Sequence, residues 1–241
     1  MRLDEGSWTD ARDADTRLAL VPVGSTEQHG PHAPLGTDYM TAEAMAERAA
    51  DRHGERVVVA PPVPVGVAEE HRAFDGTLWV TEDTLRAYVG DVLRSLAGHG
   101  FDRTVVVNGH GGNADALREV CARVTRDGDC RAVTYTWFDD LDTDLRLGHG
   151  GPVETSAMLA LRPELVREER YPEAAEGGAE SFGRFVAGTN VAYDFDEFSE
   201  SGNVGDPTPA TAAEGDRLLD GAAEGVCAVL DAIRDDRSES R

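Results

Sequence analysis

Two glycine-rich strings of this chain hold residue types that can grip a divalent cation. Glu27, His29 and Asp38 lie in GSTEQHGPHAPLGTD, and His110 lies some seventy residues later in VVVNGHGGN. Two carboxylates and two imidazoles form a mixed oxygen and nitrogen donor set that suits Zn²⁺, Mn²⁺ and Fe²⁺ alike. An ion held this way makes hydroxide from water near neutral pH, so the first expectation is a metal-dependent hydrolase. Taken singly, each residue has a plainer use. A histidine in a glycine-rich loop is often only a hydrogen bonder, Glu27 could be a surface carboxylate, and Asp38 could cap the helix after it. The coincidence of four donors at two strand ends, in a chain with only 7 histidines, favours the metal.

Two more strings extend the set. GHGGPVETS (148–156) puts His149 and Glu154 five residues apart, with a helix beginning at Glu154. Glu154 reads as a further ligand or as a first-turn carboxylate favoured by the helix dipole. His149 reads as a proton carrier, since an ordinary pKa near ~6.5 suits acid–base work. GVAEEHRAFDGTLWV (66–80) offers Glu70, His71 and Phe74 as a substrate wall; the alternative is a loop packing Phe74 and Trp79 against the sheet.

The elements that must position these residues follow from periodicity. Strands are expected at 18–23 (LALVPV), 56–66 (RVVVAPPVPVG, turned into a loop by Pro61 and Pro62), 103–109 (RTVVVNG) and 130–138 (CRAVTYTWF). Helices are expected at 39–52, 82–98, 113–126, from 154 to 161, and from about 211 to 233. The run 103–109 is apolar on both faces, as a central parallel strand must be. Alternation of strands and helices implies an α/β fold, a mostly parallel sheet with helices on both faces. In such sheets ligands sit beyond the carboxyl ends of the strands, where both glycine-rich strings fall. Residues 139–147 and 170–205 carry little pattern and are expected to be solvated excursions rather than a lid. No repeat or linker divides the sequence, so residues 1–241 are expected to form one domain.

Composition narrows the partners. The formal charge is −23, from 46 acidic and 23 basic residues, and every basic residue is arginine. That surface repels phosphate backbones, so nucleic acid and anionic membranes are not expected partners. Acidity spread along the whole length reads as adaptation to a salt-rich cytoplasm. Cys121, Cys130 and Cys227 have no metal-knuckle spacing and read as inert thiols of a reducing compartment. No apolar run approaches the ~18 residues needed to span a bilayer, and the N-terminus has no signal-peptide core. The expected location is the cytoplasm.

Together GSTEQHGPHAPLGTD, EEHRAFDGT, NGHGGN, HGGPVETS and NVGDPTPATAAEGD resemble the creatininase (creatinine amidohydrolase) family, over roughly residues 18–235. The resemblance implies a three-layer α/β/α sandwich, two divalent ions (Zn²⁺, Mn²⁺ or Fe²⁺), and a homo-oligomer, often a hexamer. Carried over by position, Glu27 and His110 would bind one ion, His29 the other, and Asp38 would bridge them. His149 matches the family's proton-transfer residue. Creatininases proper have a glutamate ligand two residues after the histidine matching His110, and an aromatic residue between; this chain has Gly112 and Gly111 there. Glu154 is the natural substitute ligand, and Glu70, His71, Gly111 and Gly112 would face the substrate. The resemblance implies metal-dependent hydrolysis of a non-peptide C–N bond, in a formamide or a cyclic amide, with the HGGN form pointing to relatives that do not open creatinine. The salt-rich reading favours a formylamino-pyrimidine ribotide deformylase of archaeal flavin and deazaflavin synthesis. Creatinine hydrolysis, a mycofactocin-type precursor peptidase and a non-catalytic metal binder remain alternatives. Arg72 is the one phosphate-binding candidate that the sequence offers the ribotide.

Overall fold

The valine-rich segment Arg103–Asn108 becomes β3 and lies inside a four-stranded parallel sheet, ordered β2-β1-β3-β4. Its companions are β1 (Leu18–Val23), β2 (Val58–Val59) and β4 (Arg131–Thr136). Every residue of β1 is buried, which fits an apolar strand covered on both faces. Val23 pairs with Asn108, and Asn108 with Thr136, so three strands end level at one edge of the sheet.

A computed structural model describes residues 1–234; the end of the expected family core at 235 lies outside the described residues. The helices are α1 (Trp8–Arg12), α2 (Thr37–Arg52), α3 (Glu82–Gly98), α4 (Ala114–Asp127), α5 (Pro152–Leu161), α6 (Tyr171–Gly177) and α7 (Ala212–Arg234). Residues alternate along β1 between two cores. Ala19, Val21 and Val23 face Leu85, Val89 and Leu93 of α3 and Leu117 and Val124 of α4. Leu18 and Leu20 face Met45 and Ala46 of α2, Ala157 of α5, and Leu219 and Val226 of α7. Helices therefore cover both faces of a parallel sheet, as the α/β/α expectation requires. Each fully buried Leu or Val contributes about 1.5–3 kcal/mol, so these two cores fix where the strand ends stand.

Connections from β1 and β3 leave in opposite directions, which opens a crevice between those two strands at their carboxyl edge. The loops bearing Glu27 and His29, and His110, emerge on either side of it.

Three expectations need correction. Only Val58–Val59 of the 56–66 segment pairs as strand, because Pro61 and Pro62 have no N–H to donate. The 130–138 strand ends at Thr136 and tightens into a turn at Trp137–Asp139. The 170–205 segment is no simple solvated excursion. It folds into α6, the small hairpin β5 (Phe185–Val186) with β6 (Thr189–Asn190), and a turn at Phe195–Glu197. Its far end locks onto the site loop, where Val204 and His149 exchange two backbone hydrogen bonds of 2.7 and 3.1 Å. Among the described residues, no helix is long and apolar enough to cross a membrane.

Candidate metal centre

Glu27 and His29 ride the loop that follows β1, held in place where the Glu27 N–H donates to Leu35 O at 2.9 Å. Asp38 is in the first turn of α2, where the helix dipole favours a carboxylate. His110 follows β3 directly, and Glu154 lies in the first turn of α5. Glu27, His29, Asp38, His110, His149 and Glu154 are all buried.

Backbone carbonyls decide which imidazole nitrogen is available. His110 donates from Nε2 to Val67 O at 2.6 Å, so its Nδ1 lone pair faces Glu27 Oε1 at 3.1 Å and Asp38 Oδ2 at 3.2 Å. His29 donates from Nδ1 to Glu27 O at 3.1 Å, which leaves Nε2 facing Asp38 Oδ1 at 2.9 Å and Glu154 Oε2 at 3.8 Å. Asp38 thus stands between the two rings, one oxygen towards each. Glu154 is steadied by Gly150, whose N–H donates to Oε2 at 2.6 Å.

With their outer protons committed, neutral rings would point lone pairs at carboxylate lone pairs. Both Glu27 oxygens, Asp38 Oδ2 and His29 Nε2 are buried without a hydrogen-bond partner. Such a cluster needs positive charge, either protons or a cation. The titration behaviour says the same. Burial alone would lower His29, yet Asp38, Glu154 and Glu27 push it up to about 10. His110 also rises well above its ordinary value, because Glu27 and Asp38 outweigh burial. Burial works to raise Asp38, but the charges on His29 and His110 hold it well below the usual carboxylate range. Burial lifts Glu154 to about 7. The donor chemistry fits a divalent ion, and among the described residues three triads of donor atoms present themselves: Glu27, Asp38 and His110; His29, His149 and Glu154; and Glu27, His71 and His149.

Beside these donors is a cavity of about 280 Å³, bounded by Glu70, His71, Gly111, Gly112, His149 and Glu154, with apolar walls from Phe138, Leu147, Phe182 and Phe195. All four residues expected to face substrate reach it. Among the described residues, no arginine lines it. Arg72 turns away to Asp194 at 2.6 Å and Glu69 at 3.5 Å. Phe74 does not line the cavity, and Trp79, expected against the sheet in the alternative reading, is 42% exposed. His149 stacks on His71 with ring centres 4.5 Å apart and stays neutral, because burial and the neighbouring His29 and His71 push it well below its ordinary value.

Sequence reasoning missed Gln28 and the aromatic walls. Gln28 was in plain view inside GSTEQHG, an amide between two candidate ligands. Phe182 and Phe195 belong to a segment whose local pattern carries no sign of the cavity. Gly112 is also explained: a Cβ there would stand 2.3 Å from Val67 O and 2.6 Å from His110 Nε2, inside the bond that orients His110.

Comparisons with known proteins agree with this geometry. The creatinine amidohydrolase family model matches residues 4–230. The mycofactocin precursor peptide peptidase of Mycolicibacterium smegmatis is 39% identical over 207 residues, covering 84% of this chain and 79% of that protein. The creatinine amidohydrolase of Pseudomonas putida is 34% identical over 179 residues, covering 64% of this chain and 67% of that one. Among solved structures, a Zn–Zn form of a creatininase variant superposes with a TM-score of 0.77 at 26% identity, over 98% of each chain. A putative creatinine amidohydrolase from Bacteroides fragilis superposes with a TM-score of 0.80 at 25% identity, over 100% of this chain and 98% of that one. This chain belongs to the creatininase family of metal-dependent amidohydrolases.

Proposed function

We propose that this protein hydrolyses an amide C–N bond of a peptide substrate without phosphate groups, in the manner of a precursor-peptide peptidase. The observation that carries the hydrolytic reading is the placement of Asp38, one oxygen towards His29 and one towards His110, amid unpaired buried donor atoms. Glu27, Asp38 and His110 would hold one divalent ion, and His29, Asp38 and Glu154 a second. Zn²⁺, Mn²⁺ or Fe²⁺ bound there lowers the pKa of water towards ~7 and polarises a carbonyl.

The remaining work falls to the chain. His149 donates from Nε2 to Gln28 O at 2.5 Å, so its Nδ1 carries the lone pair and stands 3.7 Å from Glu27 Oε1, beside the donor cluster. That nitrogen takes the proton released as water adds to the carbonyl carbon and returns it to the departing amide nitrogen as the C–N bond breaks. Phe138, Leu147, Phe182 and Phe195 offer apolar surface to substrate groups.

Charge selects among substrates. Glu70 is the lining carboxylate that would hold no ion, and among the described residues no arginine lines the cavity, so a neutral or cationic substrate fits better than a phosphorylated one. This supports the peptidase-type reading, to which the 39% identical mycobacterial relative also lends weight. The ribotide deformylase reading finds no arginine on the cavity wall among the described residues. The test is a turnover panel with zinc-, manganese- or iron-loaded protein: a mycofactocin-type precursor peptide, creatinine and the formylamino-pyrimidine ribotide. Faster turnover of the peptide supports the proposal. Turnover of the ribotide alone, or metal uptake without any hydrolysis, refutes it.

A further inference from the structure

Gln28 is 5% exposed and sits at the meeting point of the site histidines and the 178–205 segment. Its amide orientation is fixed by two backbone groups of opposite polarity. The Gly30 N–H donates to Oε1 at 2.9 Å, and Nε2 donates to Gly202 O at 2.7 Å. A carbonyl can only accept and an N–H can only donate, so the amide cannot be flipped. Gly202 allows this approach: its φ is +84°, and a Cβ there would lie 2.1 Å from Gln28 Oε1.

The second proton on Nε2 goes to His71 Nδ1 at 2.7 Å. His71 must therefore accept at Nδ1 and carry its own hydrogen on Nε2. That Nε2 stands 3.4 Å from Glu27 Oε1, a charge contact without hydrogen-bond geometry. The ring is clamped between His149 at 4.5 Å and Phe195 at 3.9 Å between centres. His149 Nε2 lies 3.1 Å from the same amide nitrogen, but donates to Gln28 backbone O instead. One residue thus sets the tautomers of two neighbouring imidazoles.

We infer that Gln28 is a positioning residue that locks His71 in its Nε2–H form, so that His71 turns a hydrogen rather than a lone pair towards the Glu27 side of the site and is withheld from binding metal itself. The grouping of Glu27, His71 and His149 brings three donor atoms together, yet the lone pair of His71 is already committed to Gln28. The inference rests on the metal-dependent reading of the site and is independent of which amide is cut.

The test uses full-length protein labelled with ¹⁵N-histidine. Long-range ¹H–¹⁵N correlation spectra, with and without zinc, report which ring nitrogen bears hydrogen, and chelator competition measures zinc affinity. His71 is expected as the Nε2–H form in wild type. Gln28→Glu, of nearly equal shape, places acceptors opposite His71 Nδ1 and Gly202 O and should drive His71 to carry hydrogen on Nδ1. Gln28→Met should weaken zinc binding by about 10–100-fold, as loss of a partner behind a ligand does. In a His71→Asn background the same change should cost almost nothing further, whereas a packing role would make the two losses multiply. Multiplied losses, or an Nδ1–H His71 in wild type, would overturn the inference. A wild-type protein that takes up no zinc would overturn the metal reading beneath it.

Discussion

Replacing Gly112 is the sharpest way to strain this site, because family likeness and structure make opposite forecasts. Creatininases proper have a glutamate ligand at the matching position, so Gly112→Glu looks like the restoration of a missing donor. In this chain a Cβ at 112 would stand 2.3 Å from Val67 O and 2.6 Å from His110 Nε2, two atoms that are themselves 2.6 Å apart. A comfortable carbon–oxygen contact is about 3.3 Å, so the Val67 loop must retreat by about 1 Å. The His110–Val67 hydrogen bond cannot survive that movement. A buried carbonyl or ring N–H left unpaired costs about 1–3 kcal/mol. In a chain of this length each kcal/mol is worth about 2–4 °C in Tm, giving a fall of about 2–12 °C. Losing the partner that orients His110 should weaken metal binding by about 10–100-fold.

Gly112→Ala isolates the steric part of this argument. Gly112→Glu adds a carboxylate beside Glu70, whose Oε1 would be 3.2 Å from the new Cβ, and should do worse. Thermal melts and chelator competition with zinc read both effects. A Gly112→Glu variant that keeps its Tm and binds an additional ion would refute the reasoning, and with it the view that the local backbone forbids a side chain at 112.

Two other outcomes follow from the charge arrangement. Asp38→Asn keeps the shape but removes the charge between two imidazoles; metal content and turnover should vanish together, and the metal-free protein should lose about 3–5 kcal/mol, as when a buried ion pair is broken on one side. The stability of the metal-free fold and its affinity for zinc should depend on pH with opposite signs. His29 is raised to about 10 in the metal-free fold, so its stabilising charge is fully present below ~6.5 and is lost as pH climbs towards 10. Metal binding must displace that proton, so zinc affinity should rise by about tenfold per pH unit for each proton released. Calorimetric scans from pH 6.5 to 10 should therefore show the gap in Tm between zinc-loaded and metal-free protein widening, and a gap that narrows would contradict the proton competition.

The strand ends and their donors were legible in the sequence because each signal was local. RTVVVNG reads as a buried strand from composition alone, and the glycines after it mark a tight turn. Glu27, His29, Asp38 and His110 could be named as donors before any geometry was known, since side-chain type restricts what each can bind. The cavity walls were not legible. Phe195 is separated from His71 by more than a hundred residues, yet their rings lie 3.9 Å apart. Nothing in the spacing of 170–205 announces that contact. Its acidic, glycine-rich composition resembles a solvated loop because only a few of its side chains, Ala174 and Phe195 among them, are buried.

Ring chemistry was the second illegible layer, and it bears most on mechanism. A histidine in a sequence has two possible donor nitrogens, and the fold chooses between them through main-chain oxygens. His110 is set by Val67 O, His29 by Glu27 O and His149 by Gln28 O. Two of those carbonyls belong to the same loop that supplies the ligands, so that loop carries metal-binding side chains and also dictates the tautomers of the imidazoles facing them. Its conformation depends on β1, which is buried along its entire length and paired on both edges. A shift of β1 against β3 would therefore alter ring orientation before it altered any donor's identity. Selectivity for a cation here is a property of backbone placement, and side-chain type alone is insufficient to produce it.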